Sequence, residues 1–232
     1  MTGKEAKELI IRNATPYFEE RGWHLKKVQR NEAVFIRKEN DFSNRIGIST
    51  LDYNPIQVID FGLGKYIDSI ENIMRKINQN TELNPPLDKD CLTLYLTDKD
   101  KSNLKQKMSE CRVEQHIINS LNPIFDYLNH HALPTLEKFN DLREIDKLIN
   151  GEANNYWETD WHKPFNLAGY FYLRRLIIAK LSGRKDYTEF IEKEIEEIER
   201  EAVEANETFD RNDLSDELAY CIHLLKDVDP LY

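Results

Sequence analysis

Two histidines, His130 and His131, stand side by side in this chain, with Asp126 four residues before the first. On a helix that spacing puts Asp126 and His130 on one face, the beginning of a metal site or of an acid–base pair. It supplies only two ligands, whereas zinc takes at least three from the protein, and His116 lies fourteen residues upstream of His130. A histidine near a helix C-terminus also has a structural role, because its cationic form complements the helix dipole. Asp160 and His162 form a second close pair, in a loop. Without a serine or cysteine in a strained GxSxG-type turn, they define no hydrolase. An enzyme would have to assemble its site from dispersed residues, Asp126, His130, Asp160 and His162.

Gly62-Leu63-Gly64 follows a strand-like segment and precedes a helix-like one, the context of a dinucleotide loop. The third glycine of that fingerprint would fall at Ile67, so the expected role is a tight strand-to-helix turn. No GxxxxGK(S/T) phosphate loop occurs. Cys91, Cys111 and Cys221 are odd in number and show no CxxC spacing, which excludes a zinc ribbon and a thioredoxin-like motif. No cofactor and no metal site is expected.

The formal net charge is −10 and the isoelectric point about 5.2. Such a chain repels phosphates unless it carries a local basic patch. The basic clusters are only Lys26-Lys27 and Arg174-Arg175, which read as solvated side chains at element edges. Nucleic acid is therefore not an expected partner. The longest apolar runs are a few residues, such as Leu176 to Ala179, far short of the roughly 20 that a membrane helix needs. Met1 to Glu8 has no apolar core, so no secretion signal is expected, and the reducing cytoplasm is the expected compartment.

Two stretches suit recognition. The segment from Tyr187 to Asn206 carries glutamates at 189, 192, 194, 196, 197, 199, 201 and 204 around one stripe of Ile191, Ile195, Ile198 and Ala202. That is either a solvated face or an acidic docking surface for a basic partner, with Glu192, Glu196 and Glu199 along the stripe's edge. Gly151 to Phe165 gathers Tyr156, Trp157 and Trp161 with His162 in a loop. Aromatic residues on loops serve as binding anchors or pin the loop to the core.

The elements that position these residues follow from patterning. Lys4 to Glu20 reads as a helix with Pro16 kinking or restarting it, stopped by Gly22, with Trp23 packing back on the last turn. Strands are expected near Trp23–Arg30, Ala33–Lys38, Arg45–Leu51 and Gln57–Phe61, joined by connections short enough to require an antiparallel meander. A helix from Tyr66 to Asn78, a polar loop to Asp90 and a short strand at Leu92–Leu96 complete this part. From Ser102 onward the pattern is helical, with Pro123 and Pro164 suited to first turns. The fold class is α+β: an N-terminal helix with a small antiparallel sheet and a following helix, then an all-helical half. A subdomain boundary is expected near residue 100, dividing 1–100 from 101–232, the alternative being that the join is a packed interface within one continuous domain.

The opening, Pro16-Tyr17-Phe18 to Gly22-Trp23 and on through Phe61-Gly62, with His131-Ala132-Leu133-Pro134 through Leu142, resembles a family of uncharacterised bacterial domains of unknown function. The resemblance covers residues 1–150 at most. Such domains are similar in style to immunity proteins of bacterial toxin systems, which implies a binding role and carries no catalytic residues. The reading is a non-catalytic cytoplasmic bacterial protein that binds a basic protein, with Tyr156, Trp157, Trp161, His162, Glu192, Glu196 and Glu199 as partner-binding residues. The alternatives are the dispersed-site enzyme and a structural subunit.

Overall fold

Thr2 starts the first helix, α1 (Gly3–Glu19), with a reciprocal cap: its Oγ1 accepts from the Glu5 N–H, and the Glu5 carboxylate accepts from the Thr2 N–H at 2.7 Å. The computed structural model describes residues 1–29, 32–52, 57–81, 83, 92–97, 104, 110–151, 164–204 and 216–232. Ala6, Ile10, Ala14 and Phe18 recur every fourth residue and are buried as one stripe. Pro16 does not interrupt the helix. Gly22 ends the turn that follows with φ 74°, and the Trp23 N–H returns to the Phe18 carbonyl at 3.0 Å. The Trp23 ring lies 5.8 Å from that of Phe18, as the sequence led us to expect.

Four antiparallel strands follow: β1 (His24–Gln29), β2 (Glu32–Glu39), β3 (Phe42–Asp52) and β4 (Gln57–Ile67). Asn40, with φ 54°, turns β2 into β3. Ala33 and Phe35, Ile46 and Ile48, and Ile59, Phe61 and Leu63 fall on one face by register, and all are buried. α1 packs on this face, with Phe18 stacked on Phe35 at 4.2 Å. β4 runs directly into α2 (Asp68–Asn80).

Gly62 and Gly64 are therefore not a strand-to-helix turn but lie inside β4. Gly64 pairs with Tyr95 of β5 (Leu94–Leu96), and a Cβ on Gly64 would collide with the Leu94 carbonyl oxygen. The glycine is there for close approach of a neighbouring strand, a signal that reads in sequence like a turn. β6 (Glu110–Cys111) pairs with the other end of β4. α3 (Glu114–Tyr127) covers the sheet, bringing Tyr127 to 5.8 Å from Phe61. It passes through a π-helical segment, Leu128–Ala132, into α4 (Leu133–Lys138). Pro123 lies inside α3 rather than starting a helix.

The remaining elements are α5 (Leu142–Asn150), β7 (Phe165–Leu167), α6 (Phe171–Leu181), α7 (Tyr187–Glu204) and α8 (Asp216–Lys226). Pro164 leads into β7, which joins the sheet beside β5, so the half expected to be all helical contributes two short strands, β6 and β7. The α+β class itself is as expected.

The chain builds two compact units. The first takes Met1–Asp68, Leu92–Asn140 and Glu158–Asn166, and holds the sheet with α1, α3 and α4. The second takes Ser69–Cys91, Asp141–Trp157 and Leu167–Tyr232, and is helical among the described residues. In that unit α6 is the central helix, packed against α5, α7 and α8 and buried on nearly every side. No described helix is long and apolar enough to cross a membrane.

Candidate functional site

On β4 the inward positions are Ile59, Phe61, Leu63, Lys65 and Ile67, so the period of two carries a lysine into the sheet's buried face. Lys65 is 0% exposed. Its Nζ donates to Asn44 Oδ1 on the paired β3 position at 2.8 Å and to Asn140 Oδ1, after α4, at 2.6 Å. The Phe42 ring lies 5.5 Å from Nζ. Neither hydrogen-bond partner is a carboxylate. An acid is reached through an intermediary: Asn140 Nδ2 donates to Glu39 Oε2 at 2.7 Å. Arg37 then links Glu39, at 2.8 Å, to Glu137 on α4, at 3.1 Å. Glu137 is largely exposed, so the chain of contacts runs from core to surface.

Burial is the main cause holding the Lys65 amine far below its ordinary value, at about 7. Glu39 and Glu137 pull the other way, while Arg37 adds to the depression. The two amide oxygens match the two N–H bonds of a neutral amine, and a third proton would face the Phe42 ring. Asn44 Nδ2 is also buried, with no partner among the described residues. A neutral amine is a nucleophile and a base, yet Nζ offers no surface to a substrate while this region stays closed. The sequence signal was present: extending the alternation from Ile59 past the glycines to Ile67 places Lys65 inside.

The other buried charges among the described residues lie in the second unit. Arg174, 0% exposed, makes a bidentate pair with Glu71 of α2, with both N···O distances 2.9 Å. Its Nη1 also donates to the Ala168 carbonyl at 2.9 Å and to that of Gly169. Arg175 donates to Asn150 Oδ1 at 3.0 Å and pairs with Glu194 of α7 at 2.8 Å. These arginines are thus not solvated edge residues, as their sequence had suggested. α6 is surrounded, so its cations must be matched by buried acceptors.

Glu194 likewise points inward, contrary to the expectation that the glutamates of this helix all face water. Glu189, Glu192 and Glu196 are exposed on α7. Ile191, Ile195 and Ile198 keep part of their surface in solvent, and Phe190 is buried under the guanidinium groups of Arg175 and Arg184. The side chain of Glu199 lies outside the described residues, as do Tyr156, Trp157, Asp160, Trp161 and His162. Asp126 and His130 are exposed, and the His131 ring stacks 5.9 Å from Tyr127. Among the described residues no group of three or more His, Cys, Asp or Glu is arranged to hold a metal ion.

No protein-family model, curated protein or solved structure matches this chain. Any functional reading rests on the residues and their geometry.

Proposed function

We propose that the protein is a non-catalytic, cytoplasmic binding protein, of the immunity type, whose α7 faces a basic protein partner. One observation carries this reading. α7 is anchored through Phe190 and Glu194, while Ile191, Ile195 and Ile198 keep partly solvated apolar surface over two turns, flanked by exposed Glu192 and Glu196. A part-exposed apolar stripe with an acidic rim suits a partner that buries apolar side chains and brings cations to the edge. The net charge of −10 adds long-range attraction for such a partner. Tyr156, Trp157 and Trp161 are the residues we assign to retention once contact is made.

The test is capture of partners from bacterial lysate followed by association and dissociation kinetics at two salt concentrations. Glu192→Lys with Glu196→Lys should slow association several-fold, with the larger difference at low salt. Trp157→Ala should raise the dissociation rate instead. An acidic partner, or rates indifferent to salt and to every one of these substitutions, would overturn the proposal.

A further inference from the structure

Lys65 sits one side chain beneath the surface, in a place that fits an amine better than an ammonium. Around Nζ, β3 contributes Asn44 and Phe42, and the link after α4 contributes Asn140. The charged groups that face it are Arg37 and Glu39 from β2 and Glu137 from α4. Both carboxylates are engaged elsewhere, Glu39 by Arg37 and Asn140, and Glu137 by Arg37. An ammonium here would therefore have no carboxylate in contact, and its third N–H would meet only the Phe42 ring, a weak cation–π contact in place of a hydrogen bond. It would gain a full set of partners only if the Phe139–Asn140 link lifted and admitted water or Glu39. Phe139 itself is held by an edge-to-face contact with Phe165 at 5.3 Å, so that lifting would be a concerted local event.

We propose that Lys65 is a proton-operated latch: as the neutral amine it holds the Phe139–Asn140 link against the ends of β3 and β4, and proton uptake on acidification releases that link. The sign follows from linkage. Folding depresses the affinity of Lys65 for a proton, so the closed state is favoured as pH rises and the open state as pH falls. With the amine at about 7 when closed and at its ordinary 10.5 when open, the opening constant rises roughly a hundredfold from pH 9 to pH 6. The working range includes neutrality, where a change of one pH unit alters the population of the open form several-fold.

Hydrogen exchange read by mass spectrometry on the full chain tests this. After correction for intrinsic exchange rates, peptides covering Leu136–Asn140 and Phe42–Asn44 should lose close to two orders of magnitude of protection between pH 9 and pH 6. In Lys65→Met, which fills the same space without a proton to gain, the same peptides should show no such trend. Protection independent of pH in the unmodified protein, or an identical trend in Lys65→Met, would overturn the latch. Should Lys65→Met not fold, NMR titration of the Lys65 side chain in the unmodified protein decides: a midpoint near 7 supports the proposal and one near 10.5 overturns it.

Discussion

Replacing Arg174 with methionine removes the centre of the most enclosed ion pair in the described structure. Methionine has similar length and no charge, so packing around α6 is largely preserved. What is lost is the pair of 2.9 Å bonds to Glu71 and the donors to the Ala168 and Gly169 carbonyls. Glu71, only 2% exposed, would then be a carboxylate without its cation in a helical core. Breaking a buried pair by removing one member costs about 3–5 kcal/mol, and each stranded carbonyl adds about 1 kcal/mol. Against a total stability of roughly 5–15 kcal/mol, that is enough to bring the second unit close to unfolding at 37 °C. In urea, with a slope of about 2–3 kcal/mol per molar, the midpoint should fall by about 2–3 M. Arg174→Met with Glu71→Leu should recover about half of this, because an apolar pair needs no counter-ion. The assay is urea unfolding followed by circular dichroism, with hydrogen exchange in α2 and α6 to localise the effect. A loss below about 1 kcal/mol in the single variant, or a double variant as unstable as the sum of its singles, would refute the argument.

Two neighbouring glycines of β4 should respond in opposite ways. Gly64→Ala must displace the Leu94 backbone and should cost about 1–3 kcal/mol, whereas Gly62→Ala meets no atom within 4 Å and should be neutral or stabilising by about 0.5 kcal/mol. Thermal midpoints of the two variants compare them directly. Along α7, Glu194→Ala leaves Arg175 its bond to Asn150 but removes its carboxylate and should destabilise by about 1–3 kcal/mol, while Glu192→Ala, on the exposed side, should stay within about 0.5 kcal/mol in the same urea assay.

The parts of the fold visible in the sequence are those governed by local patterns. The stripe Ala6–Ile10–Ala14–Phe18, the stop at Gly22 and the meander all follow from periodicity and turn chemistry. Gly183, with φ 72°, ends α6 as its type suggests. The misreadings arise where a distant neighbour decides. Gly64 is small because β5 approaches it, and nothing within ten residues of it announces that strand. Arg174 and Arg175 are enclosed because α2 and α7 supply Glu71 and Glu194 from far along the chain. Lys65 was missed because the strand was expected to end at Phe61, which cut short the inward alternation Ile59, Phe61, Leu63, Lys65 and Ile67. Of the residues singled out for binding, Glu192 and Glu196 were read as exposed because helical spacing alone places them beside the apolar stripe.

The chain passes between its two compact units after Asp68, Cys91, Asn140, Trp157 and Asn166. Translation, which runs in one direction at about 5–20 residues per second, therefore cannot finish one unit before beginning the other. The meander is complete at Ile67, yet α3, which brings Tyr127 against Phe61, does not begin until Glu114. On a ribosome α1 can already lie over Phe35, but the part of the sheet face that α3 covers would wait roughly 2–10 s, leaving Phe61 in solvent meanwhile. A nascent chain with this layout is a natural client for a holding chaperone. Slow codons placed between the meander and α3 should lower soluble yield more than the same codons placed after α6.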